Sequence, residues 1–204
     1  MQSAIPRWLL KATTLLTPWL WIGAAHAHTG HVEATLWSGL VHPFGLDHLL
    51  AMVAVGLWSM VAMPQSRRLA APLAFMVAML VGAISGVAGV GAAVLESAVA
   101  LSVAGMGLLL LISAIHAQAP SAARGLALVA GVGLLHGFAH GAEAPSGGWT
   151  AYALGFLLTT AALHLGGMGL GLSVQRLAGE GRRWALTSLS AVLGGAGVFL
   201  FTQL

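Results

Sequence analysis

From residue 39 onward the chain is a succession of long apolar runs, separated by short clusters of arginine, proline, glycine and small polar residues. A helix that crosses a bilayer needs about 20 predominantly apolar residues. Six stretches meet that requirement: 39–63, 69–89, 94–117, 125–141, 149–173 and 184–204. The pattern predicts an all-α, polytopic membrane helical bundle of six transmembrane helices.

The first 27 residues follow a different pattern. Arg7 and Lys11 form a positive start, and an apolar run from Ala12 to Ala24 follows, interrupted by Thr13, Thr14, Thr17 and Pro18. Ala25-His26-Ala27 then has the small-x-small form of a cleavage site, so residues 1–27 read as a secretory signal peptide. The alternative is a retained first helix, giving seven spans. Cleavage after Ala27 would leave a mature chain of residues 28–204 beginning His28-Thr29-Gly30-His31.

Composition agrees with a lipid setting. Hydrophobic residues make up 58% of the chain and charged residues 6%, against about 25% charged in soluble domains. So few charges cannot solvate a surface. The chain has no cysteine, which excludes disulfides and thiolate metal sites. Its eight basic residues form no clustered face, so nucleic acid is not a partner.

The positions of the charges set an orientation. Arg67 and Arg68 follow the first span, Arg124 the third, and Arg176, Arg182 and Arg183 the fifth. These loops share one side, which the positive-inside rule makes cytoplasmic. Glu33, Glu96 and Glu143 belong to the other side, and both mature termini are expected there, in the periplasm. Trp37, Trp149 and Trp184 lie near span ends, where an aromatic belt would put them. The 28 glycines, among them Gly82, Gly105, Gly107, Gly166, Gly167, Gly169 and Gly171, suit close helix packing. No convincing sequence repeat relates the two halves, although six spans could hide one. Scattered methionines such as Met52, Met60, Met76 and Met79 read as core filler.

Nine histidines in so apolar a chain need a reason. Ionisable residues inside a span are costly and mark candidate functional sites. The first group is His42-Pro43-Phe44-Gly45-Leu46-Asp47-His48. On an ideal helix His42 would lie about 140° from Asp47 and about 120° from His48, on different faces. A local break at Pro43 and Gly45 would let the three converge, and such breaks are tolerated where they line a cavity. Alternatively, Pro43 sits in the first turn of the span and the cluster forms an entrance near the outer surface. The second group is His136, His140 and Glu143. Here His140 is about 40° from His136 and Glu143 about 20° away on the other side, so one helical stripe carries all three. Histidines and carboxylates of this kind suit nickel, cobalt or zinc. His164 and Glu96 are further candidates, with interhelical hydrogen bonding as the alternative. For His116 that alternative is favoured, and His28 and His31 read equally well as a polar terminus.

Residues 42–56, His-Pro-Phe-Gly-Leu-Asp-His-Leu-Leu-Ala-Met-Val-Ala-Val-Gly, resemble the signature of the HupE/UreJ family of bacterial nickel and cobalt permeases. Residues 135–143, Leu-His-Gly-Phe-Ala-His-Gly-Ala-Glu, resemble that family's second histidine motif. The leader, the six spans, Glu96 and His164 also fit, so the resemblance covers the whole chain. It implies that the His42/Asp47/His48 motif selects and passes the ion, and it suggests a hydrogenase or urease context.

The expected function is a secondary permease in the bacterial inner membrane. It takes up divalent nickel or cobalt from periplasm to cytoplasm past His42, Asp47, His48, His136, His140, Glu143, His164 and Glu96. The metal is substrate; no permanently bound cofactor and no catalytic residue are expected. The chain has no phosphate-binding Gly-rich Lys-Ser/Thr loop, so it does not itself hydrolyse ATP. A rival reading is a membrane electron carrier holding haem between paired helix histidines, against which Asp47 beside His48 is an odd neighbour for an apolar haem pocket. Another is an intramembrane metalloenzyme, which would need a base such as Glu143 beside a metal-bound water. The glutamate of the His-Glu-x-x-His protease motif is missing between His136 and His140. Ligand type does not separate nickel from cobalt or zinc.

Overall fold

The structure, a computed structural model, describes residues 35–85, 92–115, 122–142 and 148–204. The leader, His28, His31, Glu33, His116 and Glu143 lie outside those residues. Among the described residues the regular structure is entirely helical. The order is α1 (Leu36–Val41), a 3-10 turn (His42–Phe44), α2 (Leu46–Ala62), a second 3-10 turn (Gln65–Arg67), α3 (Ala70–Ser85), α4 (Ala92–Ile115), α5 (Ala122–Ala142), α6 (Trp149–Gln175) and α7 (Gly179–Thr202). In hydrocarbon no water satisfies backbone groups, so apolar segments of this length close their hydrogen bonds internally as helices.

Among the described residues five helices are long and apolar enough to span a membrane, and the bent pair Leu36–Phe44 and Leu46–Ala62 brings the number to six when it is counted as one broken span. Within the described residues this agrees with the six expected spans, while the retained-helix alternative falls on residues outside them. The ends differ from the hydropathy reading where polar residues join a helix. The last helix begins at Gly179, so that Glu180, Arg182 and Arg183 form its first turns. Hydropathy marks the part of a helix that suits lipid, not the helix's full length.

The six spans associate as three pairs: α1 and α2 with α6, α3 with α5, and α4 with α7. Glycines make these pairs close. A Cβ on Gly133 would strike the Phe75 carbonyl, one on Gly137 the Met79 carbonyl, and one on Gly141 the Ala83 carbonyl. Residue numbers rise together along α3 and α5, so these two run parallel. Gly167 against Val53 and Gly171 against Met60 show the same for α6 and α2. Gly107 meets Ser190 and Gly194 while Gly197 meets Ala104, so α4 and α7 are antiparallel. Exchanging spans one to three for spans four to six maps this set of pairs onto itself. An inverted three-span repeat would give that pairing, although the sequence halves show no likeness. Gly105, Gly166 and Gly169 differ from expectation: nothing lies within 4 Å of a Cβ built on any of them.

The core runs along α2, whose Met52, Val55, Leu57 and Trp58 are buried among Phe75, Val103, Leu110 and Val129. The Trp58 indole N–H donates to Ser113 Oγ at 3.0 Å, satisfying the one polar atom this large side chain carries inward. Met52, Met60 and Met79 are buried core residues, as expected. Trp37 and Trp184 are exposed. At the end of the bundle that carries the arginines, Arg68 donates to Gln175 Oε1 at 3.2 Å, and the Gln175 amide donates to the Met60 carbonyl. This ties the α2–α3 turn to the end of α6.

Candidate metal centre

The first span breaks where Pro43 and Gly45 stand. Thr35 caps α1 through a reciprocal box with Ser38, and six residues later the helix ends. Proline has no N–H to continue the ladder. It opens a 3-10 turn, and Gly45 leaves helical geometry altogether at φ −51°, ψ 135°. The axis bends by 77° before α2 starts. Thr159 on α6 donates its hydroxyl to the Leu40 carbonyl at 2.8 Å, holding the short α1 segment at the break. This is the broken-span geometry, and it removes the angular separation an ideal helix would impose on His42 and His48.

The break turns His42 and His48 toward α5. His42, His48 and His140 each present one ring nitrogen, and these nitrogens all lie within 4.8 Å of one another. His42 Nε2 is 3.0 Å from His140 Nδ1. The His48 ring centroid is 4.6 Å from that of His140 and 4.8 Å from that of His136. His136, one turn from His140 on the same helix, therefore extends the cluster deeper into the bundle.

Hydrogen bonding fixes two of the tautomers. Asp47 Oδ1 lies 2.7 Å from His48 Nδ1. A carboxylate only accepts, so Nδ1 carries the proton and Nε2 presents its lone pair. That Nε2 is buried with no hydrogen-bond partner. For His136, Ser102 decides. The Ser102 hydroxyl donates its single proton to the Val99 carbonyl at 2.6 Å. At 3.1 Å from His136 Nε2, Ser102 Oγ is therefore the acceptor. The His136 Nδ1 lone pair is then bare, and it too is buried without a partner. Buried polar atoms are normally satisfied, and an unpartnered ring nitrogen on His48, one of the three converging histidines, with a second on neighbouring His136, is what a divalent cation would satisfy. A carboxylate behind a ligand histidine orients the ring and raises its basicity.

Aromatic rings wall the cluster. Phe156 stands 4.2 Å from His140 between ring centroids, and Tyr152 stacks on Phe156. Phe75 lies 5.5 Å from His136 on the deeper side. A crevice between α3 and α6, lined by Met79, Ala83, Trp149 and Tyr152, reaches His140 from the α1 end.

The candidates from sequence thus fall into three sets. His42, His48 and His140 converge, with His136 beside them. Asp47 sits behind His48 rather than among the converging nitrogens. His164 and Glu96 stand apart: His164 is buried beyond Phe75, and Glu96 is half-buried in the second turn of α4. Glu143 lies outside the described residues. Sequence reasoning assigned no part to Ser102, Thr159, Phe75 or Phe156. Ser102 and Thr159 left a trace, as polar residues in apolar runs; the aromatic residues are indistinguishable from core.

Residues 15–200 match the family described as HupE / UreJ protein. The chain belongs to the HupE/UreJ family. It is also 39% identical over 195 residues to the Protein HupE of Rhizobium leguminosarum bv. viciae, covering 93% of this chain and 97% of that protein. No solved structure matches. The HupE/UreJ family comprises permeases rather than enzymes, and membership supports a nickel/cobalt transporter type of function with a metal ion as substrate in a membrane setting. It does not favour the haem carrier.

Proposed function

We propose that the protein is a secondary permease that takes up Ni2+ or Co2+ from the periplasm into the cytoplasm. The observation that carries this reading is the convergence of His42, His48 and His140, brought from two distant segments onto one point within the bundle. Neutral imidazoles bind divalent first-row cations, and His136 offers a fourth nitrogen as the ion moves inward. Asp47 supplies negative charge and orients His48. Glu96 and Glu143 are proposed to attract the cation at the outer mouth, and His164 to meet it further in.

The orientation follows from the arginine-bearing turns, which the positive-inside rule assigns to the cytoplasm. The histidine cluster then lies toward the periplasmic half, which favours capture from that side. Residues 1–27 are proposed to be a cleaved signal peptide, leaving both mature termini periplasmic in the inner membrane. The metal is cargo, with no resident cofactor, and the driving force comes from an ion gradient, the membrane potential or a partner. The hydrogenase and urease systems are the proposed consumers of the nickel.

The test is uptake of radioactive nickel and cobalt, side by side, by nickel-limited cells producing the intact protein or His42→Ala. The wild type should accumulate at least one of the metals. A correctly inserted His42→Ala protein should not. Normal uptake by that variant would remove His42 from the path, and metal loss from preloaded cells would reverse the direction.

A further inference from the structure

Deeper in the bundle than the histidine cluster is a second buried polar spot. His164 is 1% exposed and Thr160, one turn before it on α6, is fully buried. Neither ring nitrogen of His164 has a hydrogen-bond partner, and neither does Thr160 Oγ1. A histidine kept for structure inside a membrane would be expected to bond across helices, and leaving buried polar atoms unsatisfied is costly. His164 makes no such bond.

Its position is set by the close α2–α6 contact. A Cβ on Gly56 would strike the His164 carbonyl. Gly56 stands eight residues beyond His48 on α2, about 12 Å along the axis toward the arginine-bearing end. Between the two histidine levels sits Phe75, fully buried. Its ring centroid is 5.5 Å from that of His136 and 5.0 Å from that of His164. His164 is accordingly not among the residues that converge with His42.

We propose that His164 and Thr160 form a second cation station, separated from the histidine cluster by the Phe75 ring, which receives the ion on its way to the arginine-bearing end. The proposal rests on the permease reading and adds an order of events to it. The ligands are one imidazole and one hydroxyl, completed by water or the Thr160 carbonyl. Such a station binds a divalent first-row cation more weakly than the cluster does. Weak binding at the second stop favours release, because conduction needs sites that an ion can leave.

The chain's lack of cysteine permits a direct test. In the full-length purified protein, His164→Cys would place a single thiol at the proposed station. Titrated with Co2+, it should develop a near-ultraviolet thiolate-to-cobalt charge-transfer band. Leu165→Cys, on the exposed side of α6, should not. Adding Thr160→Val to His164→Cys should weaken that band's Co2+ affinity while preserving side-chain size. In proteoliposomes, His164→Ala should keep the cluster's Ni2+ affinity within about threefold yet slow uptake by about tenfold or more, since ligand loss at a separate site leaves the first site intact.

Three results would overturn the second station: no band even at Co2+ levels far above those that saturate the cluster, unchanged uptake by His164→Ala, or loss of high-affinity binding in that variant. The last would merge His164 with the cluster. Failure of the permease reading looks different, because the wild-type protein itself would then neither bind nor carry Ni2+ or Co2+.

Discussion

Asp47 and His48 are neighbours in sequence whose side chains also meet, with Asp47 Oδ1 2.7 Å from His48 Nδ1. Adjacent residues near the start of a helix normally point apart, on bearings about 100° from each other. Here Gly45 precedes the helix and Asp47 stands in its first turn, where a carboxylate is also favoured by the helix dipole. The bond leaves His48 Nε2 as the ring nitrogen with a free lone pair.

Two substitutions separate the parts of that bond. Asn at position 47 can still accept from Nδ1–H but carries no charge; Ala removes both charge and orientation. Ni2+ affinity, measured by calorimetry on purified protein, is expected to fall about tenfold in Asp47→Asn and about a hundredfold in Asp47→Ala, the range for residues behind metal ligands. Equal affinities in both variants and the wild type would show that the carboxylate does not tune the site.

Ser102 performs the corresponding task for His136, but through a neutral hydroxyl. Ser102→Ala takes away the acceptor and lets the ring exchange tautomers, so that Nδ1 is no longer held bare. Metal affinity should drop by several-fold, up to about tenfold, with little change in the unfolding temperature. Ser102→Thr retains the hydroxyl and should restore most of the loss. If Ala and Thr behave alike, the Ser102–His136 contact has no part in binding.

Gly45 tests the break. Its φ of −51° is open to any residue, so the argument concerns space rather than backbone freedom. A Cβ there would lie 3.1 Å from Asp47 Oδ1 and 3.7 Å from His48 Nδ1. Gly45→Ala should push the carboxylate off His48 and reduce uptake several-fold while the protein still inserts and folds. Uptake at the wild-type rate would mean that the pair accommodates the methyl group without cost to the site.

Much of this arrangement was legible in the sequence, for physical reasons. Apolar runs report lipid contact directly, so the six spans could be read with only their ends in error. His136 and His140 are four residues apart, a spacing that keeps its meaning on any regular helix. His42 and His48 were harder: helical geometry sets them apart, and only Pro43 and Gly45 hinted that the helix fails. What could not be read was everything set by packing between spans. Ser102 meets His136 across 34 residues, and Phe75 meets both His136 and His164 because α3 packs against α5 and α6. The same holds for glycine. Gly131 and Gly133 look alike in sequence, but they face different surroundings.

That pair supplies the test of the helix pairing. A Cβ on Gly131 would meet nothing within 4 Å, whereas one on Gly133 would strike the Phe75 carbonyl, with the Phe75 Cα at 3.0 Å. Gly131→Ala should leave the unfolding temperature in detergent unchanged or slightly raised, because alanine favours helix over glycine by about 1 kcal/mol. Gly133→Ala has the same intrinsic gain but must force α3 and α5 apart, an overpacking cost of about 1–3 kcal/mol. It should lower the unfolding temperature and, by shifting Phe75 against His136, reduce uptake as well. Were Gly133→Ala as stable as Gly131→Ala, the close parallel pairing of α3 and α5, and the level at which it sets the Phe75 ring, would have to be redrawn.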